Sequence, residues 1–578
     1  MSLLLRELSA YKKSILLLLI TVVVTTLCSM LIPAFFQRIV DDAIPKQSYE
    51  LVFKYVGYMF LCVVLLLFAG FGTAHYSARI AMGIGHNVRE KVFDKVMGFS
   101  QQEVDDFTIA SLITRTNTDA QNIQFFAALS LSVAITAPAM CVIGIVMAVS
   151  TSPELTRVLY VTIPVLIVVM AVLGRMAVPL ADVIQKRLDR INMVIREKIA
   201  GARVIRAFCT SEYEQDRFDK VNVDYTQLSK KMMRITGAFM PVISIVLAGT
   251  IIGIFYVACQ MSFAGNADIT TGKVLALMSY AIYIMTSVIL LSVVFLLLPR
   301  TLTSANRIKE VLNSKNLIID AENGVKATDQ RGYLEYRNVS FRYAGADRAA
   351  VNNLSFKTGP GQTTAIIGGT GMGKSTIINM IPRLYDATEG QILLDGVDVR
   401  DWDLDELRAR IGYVPQKANL FKGTIESNLK LGASDPTEEA IEYAVQVAQS
   451  WDFVMKKKGA FEAPVAQGGS NFSGGQKQRL CIARALVRTP EVYVFDDSFS
   501  ALDFKTDKAL RTALKERTAR EGATTIIVAQ RVNTIMDADQ IIVIDRGDIM
   551  GIGTHNELLE TCEVYREIVE SQMKKGGE

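Results

Sequence analysis

The stretch Gly368-Gly369-Thr370-Gly371-Met372-Gly373-Lys374-Ser375-Thr376 stands between two apolar runs, 364–367 and 377–380. This order predicts a strand, a glycine-rich loop and a helix. The spacing matches G-x-x-x-x-G-K-[ST], in which backbone N–H groups and the following helix N-terminus bind phosphate groups. We expect all nine residues to bind a nucleoside triphosphate, with Lys374 on the β- and γ-phosphates and Ser375 on Mg²⁺. A chance glycine turn is the alternative, and the flanking strand and helix patterns argue against it.

Length and composition indicate a membrane protein of more than one domain. The chain has 578 residues, of which 50% are hydrophobic, and its mean hydropathy is +0.27. A net charge of +4 is too small to suggest a nucleic-acid partner. The seven cysteines are widely spaced and there are three histidines, so neither a disulfide framework nor a metal cluster is indicated.

Six apolar stretches without charged residues recur before residue 300, each near the ~20 residues that span a bilayer. The alternative, buried helices of a soluble protein, would require six such helices without a polar face. Lys and Arg concentrate in 79–115 and 175–234, which predicts that both segments and both termini are cytoplasmic. We expect these two long arms to be helical continuations of the spans. The predicted spans are 14–36, 55–77, 122–151, 158–174, 235–264 and 274–299.

A polar connector at 313–332 leads to a second region, in which short β-rich runs alternate with helical patterns. This alternation predicts a sheet covered on its faces, with ligands beyond the carboxyl ends of its strands. The run 492–495 leads directly into Asp496, which we expect to contribute to Mg²⁺ binding. The other predicted strands are 333–336, 391–394, 525–528 and 540–543.

The stretch Asn471-Phe472-Ser473-Gly474-Gly475-Gln476 resembles the S-G-G-Q signature of ATP-binding cassette (ABC) proteins. With the six spans ahead of it, the whole chain resembles an exporter-type half-transporter. The resemblance implies a multidomain fold: an all-α six-helix transmembrane domain (1–315), a linker (316–332) and an α/β P-loop nucleotide-binding domain (333–578). It also implies ATP and Mg²⁺ as ligands, and 203–214 as the second of the family's coupling arms.

The resemblance gives roles to further residues. Tyr343 matches the aromatic residue that stacks on adenine, although an isolated tyrosine could equally belong to a core. Gln416 matches the glutamine that touches Mg²⁺. In the family two cassettes pair head to tail, so Ser473, Gly474, Gly475 and Gln476 would bind the ATP held by the other cassette's glycine loop.

Two departures from the family pattern concern the γ-phosphate. Asp497 stands where the family has a glutamate base, and Gln530 stands where it has a histidine. One fewer methylene withdraws the carboxylate by on the order of 1 Å, a misplacement that costs about 100-fold in rate. Glutamine donates a hydrogen bond but has no titratable ring. We expect Asp497 and Gln530, the candidate catalytic residues, to support ATP binding and only slow hydrolysis.

The sequence therefore predicts the degenerate-site subunit of a heterodimeric, multidrug-type exporter in a bacterial cell membrane, with the nucleotide-binding domain cytoplasmic. Its partners would be a second ABC half-transporter, membrane lipids, and an amphipathic small-molecule, lipid or peptide cargo, since the spans contain almost no ionisable residues. Three alternatives stay open: a homodimeric exporter with two slow sites, an importer of the same architecture, and an ATP-gated channel or regulatory membrane subunit.

Overall fold

Two compact units make up this computed structural model, which describes residues 7–264 and 268–575. The N-terminal unit comprises 1–98 and 107–314, and the C-terminal unit comprises 99–106 and 315–578. The segment 99–106 therefore groups with the C-terminal unit, whereas the sequence analysis assigned it to the transmembrane domain. One reason is local: the buried carboxylate of Glu103 accepts a hydrogen bond of 2.7 Å from the backbone N–H of Leu317.

Long helices form the N-terminal unit. Among the described residues, six helical stretches are long and apolar enough to cross a membrane, which confirms the six predicted apolar helices. Short π-helical turns, Ile39–Ala43 and Arg115–Asp119, continue two of them. The helices before residue 315 are, in chain order, α1 (Lys12–Arg38), α2 (Tyr49–Met97), α3 (Gln101–Phe107), α4 (Ile109–Thr114), α5 (Ala120–Thr151), α6 (Pro153–Ala200), α7 (Ala202–Ala207), α8 (Ser211–Phe263) and α9 (Thr271–Asn313). Of these, α3 lies almost entirely in the segment 99–106 that groups with the C-terminal unit.

Three helices extend well beyond a membrane-spanning length. Helices α2, α6 and α8 contain 49, 48 and 53 residues. At 1.5 Å per residue each is about 70–80 Å long, against a hydrocarbon core of about 30 Å. Most of the basic residues in 79–115 and 175–234 lie in these three helices, as expected if the arms continue the spans as helices.

The apolar surface of this unit faces outward along much of its length. Phe60, Phe68 and Phe71 on α2 are 69%, 68% and 69% exposed. A water-exposed helix with such a surface would be unstable, whereas a lipid-facing helix requires it. A smaller interior cluster includes Met30 and Tyr280, both fully buried.

The C-terminal unit contains twelve strands and nine helices among the described residues after 315. The strands are β1 (Leu334–Phe341), β2 (Val351–Thr358), β3 (Thr363–Gly368), β4 (Glu389–Leu394), β5 (Val397–Asp398), β6 (Ile411–Val414), β7 (Gly423–Thr424), β8 (Pro464–Val465), β9 (Val492–Asp496), β10 (Thr524–Val528), β11 (Gln540–Asp545) and β12 (Asp548–Gly553). The helices are α10 (Lys374–Asn379), α11 (Leu404–Ala409), α12 (Ile425–Lys430), α13 (Glu438–Val447), α14 (Trp451–Met455), α15 (Gly474–Leu486), α16 (Phe504–Glu521), α17 (His555–Thr561) and α18 (Glu563–Lys575).

A six-stranded sheet in the order β12-β11-β3-β10-β9-β6 forms the centre of this unit. Its strands from β11 to β6 are parallel, and β12 pairs antiparallel at one edge. Strands β9 and β10 are buried at every position, as expected for strands that are covered on both faces. The predicted fold class, an all-α membrane region followed by an α/β domain, is confirmed.

A second, antiparallel sheet has the order β2-β1-β4-β5. Two of the predicted strands, now β1 and β4, belong to this second sheet, whereas the β-rich runs were predicted to form a sheet covered on its faces. Strands β1 and β2 are joined by a short loop, which permits only antiparallel pairing.

Candidate functional site

The parallel sheet brings four chain segments to one edge. In the strand order β3-β10-β9-β6, each strand lies next to the following one, so their carboxyl ends are adjacent. The glycine loop follows β3, Gln530 follows β10, Asp496 ends β9 with Asp497 after it, and Gln416 follows β6. The register fixes this arrangement, because Val528 pairs with Ile366 on one side and with Asp496 on the other.

The glycine loop has a backbone that only glycine adopts readily. Gly371 and Gly373 have φ values of +80° and +90°. A Cβ atom at Gly373 would lie 2.3 Å from the carbonyl oxygen of Ala350, closer than any side chain permits. Gly373 is also the N-cap of α10, so the helix begins directly after this close approach. The N–H groups of its first turn are therefore next to the loop.

Lys374 is held inside this loop. Its side chain is 7% exposed, and its Nζ donates hydrogen bonds to the carbonyls of Gly368 (2.9 Å) and Gly369 (2.5 Å). Burial lowers the pKa of Lys374, and the nearby carboxylates of Asp497 and Asp496 oppose that shift. The ammonium group of Lys374 is thus buried and donates to two neutral backbone carbonyls. Such a group favours the binding of an anionic ligand such as a triphosphate.

A cavity of about 400 Å³ opens over the loop. This volume lies within the range of small-molecule sites. Of the predicted site residues, the lining includes Tyr343, Thr370, Gly371, Gly373, Lys374, Ser375, Thr376, Gln416, Asp496, Asp497 and Gln530.

Other predicted residues lie outside that lining. Gly368 and Gly369 contribute carbonyl groups to Lys374, and Met372 accepts a hydrogen bond at Sδ from the N–H of Arg546 (3.2 Å). None of the signature residues 473–476 is among the described residues that line the cavity.

Oxygen ligands for Mg²⁺ lie beside the loop. The hydroxyl of Ser375 donates to Oδ1 of Asp496 at 3.0 Å, and burial raises the pKa of Asp496 while this hydrogen bond lowers it. Among the described residues, no group of three or more His, Cys, Asp or Glu side chains could hold a metal ion. Mg²⁺ commonly takes one or two protein oxygens and completes its shell with phosphate and water oxygens, so this pair fits it. Gln416, the third predicted ligand, donates instead to Asp497 (3.3 Å).

Asp497 has a left-handed backbone, and one oxygen of its carboxylate accepts two hydrogen bonds. Its φ is +44°, a left-handed conformation that aspartate tolerates better than most residues. Oδ2 accepts hydrogen bonds from Nε2 of Gln530 (2.9 Å) and Nε2 of Gln416 (3.3 Å). Burial raises the pKa of Asp497, while hydrogen bonds from Gln416 and Ser500 lower it. Two neutral amides thus engage one of the two carboxylate oxygens of Asp497.

Tyr343 lies at the edge of the cavity, just beyond β1. Its hydroxyl is 2.9 Å from Oγ1 of Thr376 in α10, and its ring packs edge-on against Phe341 (4.8 Å) and Tyr385 (5.6 Å). Tyr343 is 36% exposed, so part of this residue remains accessible to a ligand in the cavity.

The signature forms a separate helix start. Ser473 caps α15 in a capping box: its N–H donates to Oε1 of Gln476 (3.1 Å), and its hydroxyl accepts from the Gln476 N–H (3.4 Å). A Cβ at Gly475 would lie 3.1 Å from the Ala501 carbonyl. The result is an exposed helix N-terminus that is suited to an anion.

The sequence analysis missed three residues at the site. Ala350 and Val528 line the cavity, but neither belongs to a sequence motif and neither has a reactive side chain. Gln572, near the end of α18, hydrogen-bonds the backbone around Gln530. No sequence pattern links residues this far apart in the chain.

Known protein families match both units. Residues 15–288 match the family model described as ABC transporter transmembrane region, and residues 351–500 match the model described as ABC transporter. A solved bacterial Atm1-family ABC exporter with ATP bound superposes with a TM-score of 0.76, covering 98% of each chain. Its sequence identity is 22%, so this similarity concerns the fold.

Full-length relatives are also similar. An uncharacterized ABC transporter ATP-binding protein of Mycobacterium tuberculosis is 35% identical over 576 residues, covering 99% of this chain and 98% of the relative. Another from Bacillus subtilis is 34% identical, with 94% of each chain covered. The ATP-dependent lipid A-core flippase of Haemophilus influenzae is 30% identical, with 92% and 90% covered.

Proposed function

Because this chain belongs to the ABC transporter family, as an exporter half-transporter with a membrane region and an ATP-binding domain, we propose that it works in a heterodimer and contributes the slower ATP site. The observation that carries this proposal is the hydrogen bonding of Asp497 to Gln530 and Gln416 at the edge of the glycine loop. The chain would bind ATP between its own glycine loop and the partner's signature.

The glycine loop would hold the triphosphate, with Lys374 on the β- and γ-phosphates and Tyr343 against the adenine ring. Ser375 and Asp496, with Gln416 once its amide leaves Asp497, would hold Mg²⁺, which supplies charge neutralisation on the phosphates when bound. Gln530 would donate a hydrogen bond to the γ-phosphate. Asp497 would activate water poorly, because its shorter side chain keeps the carboxylate back.

The exposed Ser473 helix start would complete the faster site on the partner. There it supplies N–H groups and a hydroxyl to a γ-phosphate held by the other chain's glycine loop. The partner would carry the glutamate and histidine that this chain lacks. Binding of two ATP molecules would then close the cassettes and favour the outward-open state, with hydrolysis at one site resetting the cycle.

We propose an amphipathic cargo, such as a lipid, a peptide or a drug-like molecule. Two observations support it: the near absence of ionisable side chains in the spans, and the similarity to a protein named as a lipid A-core flippase. The site of action would be a bacterial cell membrane, with the ATP-binding domain in the cytoplasm.

Co-expression with a second half-transporter that carries the usual glutamate and histidine tests the division of labour. We expect ATP turnover by the complex to fall at least about 100-fold when the partner's catalytic glutamate becomes glutamine. Asp497→Asn should leave turnover within about two-fold, because water activation would occur at the other site. Loss of turnover in Asp497→Asn would refute the proposal.

A flux assay separates the remaining alternatives. In sealed vesicles, ATP-dependent uphill accumulation of an amphipathic dye on the side opposite the cassettes supports export. Accumulation in the reverse direction would indicate an importer, and passive current on ATP addition would indicate a channel. A homodimer would appear as turnover by the purified chain that depends on Asp497.

A further inference from the structure

One side chain of the last helix contacts the loop that carries Gln530. On α18, Nε2 of Gln572 donates a hydrogen bond of 2.7 Å to the carbonyl oxygen of Gln530. Its Oε1 accepts a hydrogen bond of 2.9 Å from the N–H of Val532. A single amide therefore satisfies one acceptor and one donor of the same backbone segment, as a neighbouring strand would.

The helix that carries Gln572 is fixed to the domain core. Tyr565 and Val569 of α18 are 0% and 5% exposed and belong to the main cluster of buried apolar residues. The hydroxyl of Tyr565 lies 2.7 Å from Nδ1 of His555, which joins α18 to α17. Gln572 thus projects from an anchored element, so its two hydrogen bonds restrain the segment 530–532.

The same segment is restrained from the other side by the nucleotide site. Nε2 of Gln530 donates to Oδ2 of Asp497 (2.9 Å), while its carbonyl is held by Gln572. The backbone just before it is paired into the sheet, since the Ala529 N–H donates to the Ile366 carbonyl at 3.2 Å. Gln572 therefore restrains the part of the loop that the sheet leaves free.

We propose that Gln572 is a positioning residue for the nucleotide site, holding the 530–532 backbone so that the Gln530 amide is aligned with the γ-phosphate of ATP. This inference rests on the proposed role of Gln530. It predicts a specific signature: Gln572 contributes to the binding of ATP and not to the binding of ADP, which has no γ-phosphate. A purely structural role would affect both nucleotides equally.

The test measures binding of Mg-ATP and Mg-ADP to the full chain in lipid nanodiscs by calorimetry. Gln572→Met keeps the side-chain length and removes both hydrogen bonds. We expect it to weaken ATP binding by about 3- to 10-fold, the scale of one or two neutral hydrogen bonds, and to change ADP binding less than two-fold. Ser571→Ala is the matched control, because Ser571 donates only within its own helix, to the Ile568 carbonyl (2.9 Å).

A second variant covers the case in which Gln572→Met folds poorly. Gln572→Asn stays neutral but is one methylene shorter, so its amide no longer reaches both the Gln530 carbonyl and the Val532 N–H, and the ATP-specific loss should appear here too. Equal losses for ATP and ADP in either variant, or no loss, would overturn the inference. Lys374→Ala tests the site itself: if it binds ATP as tightly as the wild-type chain, the proposed ATP site is wrong, and the inference fails with it.

Discussion

Nε2 of Gln530 lies 2.9 Å from Oδ2 of Asp497 and donates a hydrogen bond to it. The two residues that depart from the family pattern are therefore direct partners. A change at one alters the environment of the other, so their effects on catalysis should be coupled and not additive. The donor in this contact is an amide, which stays neutral across physiological pH.

The pair should be convertible into a faster site. In the co-expressed complex whose partner glutamate is inactivated, Asp497→Glu with Gln530→His should raise ATP turnover by about 10- to 100-fold, because the longer carboxylate approaches the attacking water. Each single change should raise turnover less than the double change does. Because the two residues are in contact, the gain of the double variant should differ from the product of the two single gains. Glutamate in the left-handed conformation costs on the order of 1 kcal/mol, so a slightly lower Tm accompanies the gain. Unchanged turnover in the double variant would show that geometry at these positions does not limit the rate.

The glycine loop should fail when Gly373 gains a side chain. At φ +90°, with a Cβ only 2.3 Å from the Ala350 carbonyl, Gly373→Ala must displace either the loop or β2. We expect ATP binding to weaken at least about 10-fold. Gly474→Ala is the matched control, since a Cβ there meets nothing within 4 Å, and it should bind ATP at this chain's own loop like the wild-type chain. Equal affinities for both variants would contradict this account of the loop.

A buried carboxylate remote from the glycine loop should make the stability of the fold depend on pH. Asp395 accepts a hydrogen bond from the Tyr333 N–H (2.9 Å), and burial, with Glu491 nearby, raises its pKa to about 7. An unfolded aspartate titrates near 3.9, so the folded chain binds this proton more tightly. Protonation therefore stabilises the fold increasingly as pH falls below about 7, and this stabilisation is lost as pH rises through 7.

We therefore compare the Tm of the wild-type chain with that of Asp395→Asn at two pH values. The difference, wild type minus variant, should be about 2–4 °C larger at pH 6 than at pH 8. Thermal unfolding in detergent, followed by tryptophan fluorescence, measures this difference. Glu335→Gln is the control, because hydrogen bonds from Arg337 and Lys357 lower the pKa of Glu335 to about 2, outside this range. A pH-independent difference for Asp395→Asn would contradict a raised pKa.

Much of the architecture follows from the sequence because its causes are local. A charge-free run of membrane length has few alternatives to a spanning helix, and the glycine loop needs only its own residues and the strand and helix beside it. Asp496 and Gln530 come together because parallel strands end at one edge, which the β-rich runs before them already indicate.

Other features depend on tertiary contacts that no local pattern encodes. The segment 99–106 groups with the C-terminal unit through contacts such as the Glu103 carboxylate with the Leu317 N–H. Strands β1 and β4 pair antiparallel with each other, and a β-rich run by itself does not identify its pairing partner. Gln572 is an ordinary polar residue on an amphipathic helix, and only the folded chain shows that it contacts the loop of Gln530.

The central claim is that this chain binds ATP at its own loop without hydrolysing it quickly. The most direct measurement is ATP turnover by the purified full chain in nanodiscs without a partner, compared with its Asp497→Asn variant. We predict that both bind Mg-ATP and that both turn it over far more slowly than about 1 s⁻¹, at rates within two-fold of each other. Turnover near typical enzyme rates in the wild-type chain, abolished by Asp497→Asn, would contradict the account and indicate a symmetric transporter.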